Sequence, residues 1–219
     1  MKSEIWNLTM PSHLLYIADP MCSWCWGFSP VIDAVREHFG SSLPMQILMG
    51  GLRPGTSEPM TFGVKADIKG HWQHVQEASG QPFDFAFFER VEFVYDTEPP
   101  SRGVVAVRRL KPDLAFNYFK SVQESFYARN QDVTDPEVLA GIAVELGLDT
   151  EAFTAEFRMG QTITETWRDF ETSRQMGVTG FPTLLAGSEE RGYEVITAGY
   201  RKWEKVKGAI EDYGLRIEK

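Results

Sequence analysis

The chain reads as an α/β protein in which a βαβ unit near the start and a ββα unit near the end are separated by a large all-helical insertion. Three observations carry that reading. The two cysteines, Cys22 and Cys25, fall in one Cys-Ser-Trp-Cys segment where a short apolar run meets an amphipathic helical pattern. Two further apolar runs with a turn between them follow a Gly180-Phe181-Pro182-Thr183 turn near the other end. Between these units lie about 120 residues of mostly helical periodicity.

Taken in order, Ile5 to Thr9 reads as an edge strand. His13-Leu14-Leu15-Tyr16-Ile17-Ala18 is a short apolar run closed by Asp19-Pro20, the pattern of a buried strand. From Trp26 to Phe39 the apolar residues Phe28, Val31, Ile32, Val35 and Phe39 recur at helical spacing, and Gly40 supplies the stop. Pro30 should bend this helix without ending it. Met45 to Met49 is a second strand, parallel to the first if the helix is a right-handed crossover. In the middle, Ile68, Trp72 and Val75 form one amphipathic stripe, and Val104 to Ala128 form a longer one broken near Lys111-Pro112. Asp135-Pro136-Glu137 has the cap, the proline and the acid that open a helix. Gly147 ends it, and Asp149 or Thr150 caps the next. Pro182 to Ala186 and Tyr193 to Thr197 read as two strands joined by a turn, followed by a helix from Lys202 to Tyr213. The division this implies is a first domain of residues 1–53 and 175–219, roughly 100 residues and so one small domain, with residues 54–174 as an insertion domain.

Composition narrows the partners. The chain has 219 residues, 42% of them hydrophobic, which is ample material for a core. A net charge of -9 argues against a broad nucleic-acid footprint. The apolar run Leu14 to Ala18 is far short of the roughly 20 residues that span a bilayer, so no membrane partner is expected either. Asn7, Pro11 and Ser12 interrupt any apolar stretch at the N-terminus, which does not read as a cleavable signal. The expected location is the cytoplasm, where a disulfide is transient and catalytic more often than a structural staple.

A C-x-x-C pair at a strand-helix junction reads as a thioredoxin-like redox motif. Free backbone N–H groups and the positive dipole end at a helix N-terminus favour a thiolate, and Cys22 is placed to receive both. By position Cys22 is the attacking, partly exposed sulfur, and Cys25, one turn on, the buried resolving thiol; exchange would pass through a mixed disulfide on Cys22. Ser23 and Trp24 should tune the potential and meet the substrate. Trp24, Trp26 and Phe28 could form an aromatic lip for an apolar peptide, although Trp26 and Phe28 would equally well pack in the core. Proline at the first position of a strand is tolerated and can be cis; a cis Phe181-Pro182 bond would turn the Phe181 backbone toward an extended substrate beside the cysteines. Asp33, Glu37 and Glu89 read as solvated helix charges, and Arg108-Arg109 as a surface pair.

With the C-x-x-C, the helical insertion and the Gly-Phe-Pro-Thr turn in place, the chain resembles the DsbA-like branch of the thioredoxin superfamily. Asp19-Pro20-Met21-Cys22-Ser23-Trp24-Cys25-Trp26-Gly27 is similar to the cytoplasmic, FrnE-related protein-disulfide isomerase group within it. The resemblance implies a thioredoxin fold and a thiol-disulfide oxidoreductase, a protein disulfide reductase or isomerase. It carries over Cys22 as nucleophile, Cys25 as resolving cysteine and Pro182 as the cis-proline after Phe181, with Ser23, Trp24, Phe181 and Pro182 binding substrate. The expected substrate is a protein or small-molecule thiol or disulfide. No metal or prosthetic group is implied, and glutathione or another small thiol is the expected reductant. One departure concerns protons. The buried carboxylate that thioredoxins and DsbA carry six residues before the first cysteine is here Tyr16, and the nearest acid, Asp19, becomes the candidate proton relay.

Two rival readings come from other classes. Cys22 and Cys25 could join His71 and His74 in a four-ligand zinc site. Kappa-class glutathione transferases and hydroxychromene-carboxylate isomerases are similar in architecture, but usually carry serine where Cys22 stands.

Overall fold

A computed structural model describes residues 13–217; the expected edge strand at Ile5 to Thr9 lies outside them. β1 (His13–Ala18) leads into α1 (Ser23–Phe39), and β2 (Met45–Met49) returns alongside β1. At the other end β3 (Thr183–Ser188), β4 (Gly192–Ala198) and α8 (Trp203–Ile217) complete the unit. The strand order is β2-β1-β3-β4. β1 runs parallel to β2, with Tyr16 opposite Ile47, and antiparallel to β3, with Tyr16 opposite Leu184. This is a thioredoxin fold with a helical insertion.

β1 is central and covered on both faces, which is why its sequence is a continuous apolar run and not an alternating one. Leu14, Tyr16 and Ala18 join the main core with Phe28, Val31, Ile32 and Val35 of α1. Leu15 and Ile17 point the other way and meet Leu185, with Met176, Val178 and Tyr193 packed around them. α1 passes through Pro30 without a break and stops at Gly40, whose φ of 49° suits glycine.

The helices between the two halves are α2 (Phe62–Ser79), α3 (Glu98–Leu110), α4 (Ala115–Tyr127), α5 (Pro136–Glu145), α6 (Thr150–Arg158) and α7 (Gly160–Gln175). Thr61, Asp135 and Asp149 cap α2, α5 and α6 by accepting backbone N–H groups of Val64, Glu137 and Ala152. Of the two candidate caps for α6, Asp149 is the one used. α3 starts at Glu98, ahead of the apolar stripe, because Pro99 and Pro100 occupy first-turn positions where a missing N–H does no harm. Buried Ile68, Trp72 and Val75 face inward from α2. Trp72 is ringed by Phe83, Phe85, Phe87, Phe88, Phe126 and Tyr127 at centroid distances of 4.8–6.1 Å.

The expected surface pair is a structural clamp instead. Arg108 donates to Asp169 at 2.8 Å, to Glu165 at 2.7 Å and to the carbonyl of Ile47 at 3.0 Å, tying α3 to α7 and β2. Arg109 bonds Glu156 and Glu165. A guanidinium fork suits this work because it can hold several carboxylates and a carbonyl at once. Asp33 also differs from expectation, forming an ion pair with Lys120 of α4. Among the described residues no helix is long and apolar enough to cross a membrane.

Candidate active site

The two cysteines sit where β1 hands over to α1. Asp19-Pro20-Met21 turns the chain, with the Cys22 N–H donating to the Asp19 carbonyl at 3.1 Å. Cys22 is the N-cap of α1, extended at φ -89° and ψ 114°, and its carbonyl accepts the Trp26 N–H. Helical residues then begin at Ser23, so Cys25 lies on the inward face of the first turn. Both are free thiols.

Their surroundings differ. The Cys22 thiol donates to the Phe181 carbonyl at 3.6 Å, across the Phe181-Pro182 bond, which is cis. Cys22 was expected to be partly exposed but is only 6% exposed. The Pro182 turn covers one side, and Tyr95 and Tyr127 from the insertion stand near it; burial raises both phenols, and a charge on Cys22 raises them further. Cys25 has no exposed surface. Burial pushes its thiol well above the ordinary cysteine range, the hydrogen bond with Cys22 adds to this, and the Asp19 backbone pulls the other way.

Ser23 and Trp24 are half-buried on the first turn, with Trp24 packed against Tyr200 at 5.7 Å. Phe181 is half-buried and Pro182 buried. The ring of Phe181 lies against Gly50, just past β2, where an added Cβ would come within 2.2 Å of it. The wider aromatic lip does not form. Phe28 is wholly buried, and Trp26 is buried with its indole N–H on the Pro82 carbonyl at 3.0 Å and its ring stacked on Tyr127. Trp26 belongs to the core because the insertion brings Tyr127 and Pro82 against it, and Phe28 because it packs between Tyr16 of β1 and Tyr200.

Asp19 is completely buried beside the pair. Its carboxylate accepts the N–H of Met21 at 2.9 Å and of Leu52 at 2.7 Å. Burial nevertheless dominates and pushes its pKa up to about 6, against the lowering effect of those two bonds and of Thr97. Tyr95 donates its hydroxyl to the Met21 carbonyl at 2.6 Å. Thr97 accepts the Arg53 N–H at 3.1 Å. Tyr95, Tyr127, Thr97 and Gly50 were not singled out from the sequence. The first three sit in the insertion; Tyr95 and Thr97 lie outside any apolar period, and Tyr127 falls at the end of the Val104 to Ala128 stripe, where the periodicity marks it as core and not as a neighbour of the cysteines.

The four ligands of the zinc alternative are not brought together. His71 and His74 are exposed on α2, whereas both cysteines are buried, and no group of three or more metal-binding side chains forms among the described residues. A cavity of about 720 Å³ beside β2, bordered by Arg36, Gln46, Arg108 and Phe116, contains neither cysteine.

A model of the DSBA-like thioredoxin domain matches residues 15–211. Among solved structures, a candidate protein disulfide isomerase from Nitrosomonas europaea is similar with a TM-score of 0.88 at 37% identity, covering 94% of this chain and 98% of that one. The cytosolic disulfide reductase DsbM from Pseudomonas aeruginosa follows with 0.76 at 26% identity, covering 94% and 99%, and a structure of it with GSH gives 0.75. More distant is the ClpXP adapter protein SpxH of Bacillus subtilis, 22% identical over 175 residues, which are 80% of this chain and 58% of that protein. The chain thus spans less than two thirds of the length of the curated relatives it matches. On the extent of the domain match and the likeness of the whole fold, the chain belongs to the DSBA-like thioredoxin domain family.

Proposed function

We propose that the chain is a cytoplasmic thiol-disulfide oxidoreductase, a protein disulfide reductase or isomerase that works through Cys22 and Cys25. The observation that carries this is the asymmetry of the pair. Cys22 caps the helix and faces the Phe181 carbonyl, while Cys25 is sealed behind it and held as a thiol by burial.

In reduction, the Cys22 thiolate attacks one sulfur of a substrate disulfide, and the other leaves as a thiolate and takes a proton from solvent. Cys25 then loses its proton and attacks Cys22. The enzyme disulfide forms, the mixed disulfide breaks, and the second substrate sulfur leaves with the electron pair. In isomerisation, the substrate's own thiol resolves the mixed disulfide instead. Ser23, Trp24, Phe181 and Pro182 border Cys22 and would receive the substrate, and Asp19 is the proposed acid-base partner on the Cys25 side.

No metal or prosthetic group enters these steps. A cytosolic disulfide reductase among the similar structures supports reduction as the direction, and its structure with GSH supports glutathione or a comparable thiol as the recycling agent.

The test is a glutathione redox titration followed by tryptophan fluorescence and thiol counting, with Cys22→Ser and Cys25→Ala in parallel. A reversible two-electron transition is expected, with loss of exchange in C22S and accumulation of mixed disulfide in C25A. Equal trapping by both variants would overturn the assigned roles. Absence of the transition together with glutathione-dependent addition or isomerisation would favour the transferase class.

A further inference from the structure

The loop after β2 is tied to the cysteine loop at several points. The Gly50 N–H donates to the Ala18 carbonyl at 2.8 Å and the Leu52 N–H to the Asp19 carboxylate at 2.7 Å. Arg53 comes next, and its backbone is held on both sides. Its N–H donates to the Thr97 hydroxyl at 3.1 Å, and its carbonyl accepts the Thr56 hydroxyl at 3.0 Å and the Thr97 N–H at 3.4 Å. Gly51 and Gly55, at φ of 74° and 75°, make the turns before and after it. The backbone of Arg53 is fixed, yet the residue is exposed.

Its side chain has a definite place. The guanidinium lies over the ring of Tyr95, 5.5 Å from the centroid and within cation–π range. The hydroxyl of that ring donates to the Met21 carbonyl at 2.6 Å, one residue before Cys22. One phenol ring and these two contacts separate the charge from the cysteine loop, which is the scale of a tripeptide thiol. The acids nearby face other donors. Asp96 Oδ1 accepts the N–H groups of Gly55 at 2.8 Å and Glu98 at 3.0 Å, Glu98 pairs with Arg102 at 3.1 Å, and Asp19 takes two backbone N–H groups inside the fold. Among the described residues Arg53 forms no ion pair, although the chain carries a net charge of -9. A cation left unpaired in an acidic protein, on a fixed loop beside the reacting cysteine, is suited to an incoming anion. Its flat fork matches a carboxylate, with two parallel N–H groups for two oxygens.

We propose that Arg53 binds a carboxylate of the small thiol or disulfide that exchanges at Cys22, so that the site prefers anionic partners of the glutathione class. The proposal rests on the dithiol reading of Cys22 and Cys25 and adds a charge preference to it. With glutathione disulfide and the reduced protein, the Cys22 thiolate attacks one sulfur and the bond between the two glutathione sulfurs breaks. The other glutathione leaves as a thiolate and takes a proton from solvent. Arg53 holds a carboxylate of the glutathionyl group that stays on Cys22. Cys25 then gives up its proton and attacks Cys22, and the glutathionyl sulfur leaves with the electron pair and takes up a proton. Run backwards, the same contact orients the thiol that attacks the enzyme disulfide.

The test is oxidation of the whole reduced chain, followed by tryptophan fluorescence, with small disulfides of different charge: glutathione disulfide, neutral bis(2-hydroxyethyl) disulfide and cationic cystamine. Each variant is compared with wild type on the same disulfide, so that differences between the leaving thiols cancel. Arg53→Gln should lower the rate with glutathione disulfide, relative to that with the neutral disulfide, by about ten-fold or more, the scale of a hydrogen bond to a charged group. It should not lower the rate with cystamine. Arg53→Lys keeps the charge but loses the fork, and should fall between. Added salt should slow the glutathione reaction of wild type more than that of Arg53→Gln, because an exposed charge is screened. Arg158→Gln removes the same charge from α6, beside a cleft that contains neither cysteine, and should keep the wild-type ratio. Equal slowing with all the disulfides, an unchanged ratio in Arg53→Gln, or the same fall in Arg158→Gln would overturn the proposal. A wild-type chain oxidised by none of them would instead sink the dithiol reading.

Discussion

Gly50→Ala would test whether the loop facing the cysteines is held in place by the end of β2. An ideal Cβ at residue 50 would lie 2.2, 2.4 and 2.7 Å from the Cε1, Cζ and Cδ1 atoms of Phe181. Ordinary contact begins near 3.4 Å, so the ring must withdraw by about 1.2 Å. Gly50 has no left-handed backbone to defend, so the effect comes from the methyl group alone. Overpacking of this kind destabilises by about 1–3 kcal/mol. The functional loss should be larger. Phe181 also carries the carbonyl that receives the Cys22 thiol at 3.6 Å, and a misplacement of about 1 Å can lower a rate by ~10²-fold. Thermal denaturation and insulin-reduction kinetics on the same preparation separate the two effects. We expect a melting point lowered by a few degrees and kcat/KM lowered by at least ten-fold. A variant with wild-type kinetics would show that the Phe181 position is not set by Gly50, or that it does not matter to exchange.

Trp72→Ala removes the centre of a six-ring cluster and should destabilise by about 3–5 kcal/mol, read by chemical denaturation. Loss below 1 kcal/mol would mean that the cluster collapses without penalty. Arg108→Met leaves the Asp169 carboxylate buried with the Met49 N–H donating to it at 3.1 Å but no cation beside it. Because the arginine is part-exposed, the expected loss is about 3 kcal/mol, at the lower end for a broken buried pair; a double-mutant cycle with Asp169→Asn should be strongly non-additive. Asp19 is raised from 3.8 to about 6 on folding. The folded protein therefore binds this proton more tightly, stability falls as pH rises through about 4 to 6, and the full penalty above that window is about 3 kcal/mol at 1.36 kcal/mol per pKa unit. In Asp19→Asn, denaturation at a series of pH values should show that proton's contribution to the slope gone. An unchanged slope would contradict the burial argument.

The outer units were legible because their signals are local. A strand covered on both faces must be apolar throughout, so β1 could be bounded to the residue from its apolar run alone, while β2, at the edge with Gln46 exposed, was legible from a short apolar run that follows the helix and its glycine stop. The C-x-x-C announced a helix start, although that helix begins at Ser23, earlier than the apolar period at Trp26, since a first turn need not face the core. Proline hid the start of α3 for a related reason. What could not be read was long-range. Tyr95 reaches Met21 across 74 positions from a segment with no period, and Arg108 looks solvated until α7 supplies Asp169 and Glu165. Trp26 fits a lip or a core equally well until the insertion closes over it.

The insertion reaches the cysteine loop through backbone as well as side chain. Tyr95 holds the carbonyl of Met21, Thr97 holds the N–H group of Arg53, and Leu52, next to it, donates to Asp19. The two parts are therefore not modular. A graft joining residues 1–53 directly to 175–219 would keep every strand of the described sheet and both cysteines, yet strip one wall from Cys22 and the ties that fix the loop before it. Exchanging insertions between relatives should transfer substrate preference only when this seam is carried with them.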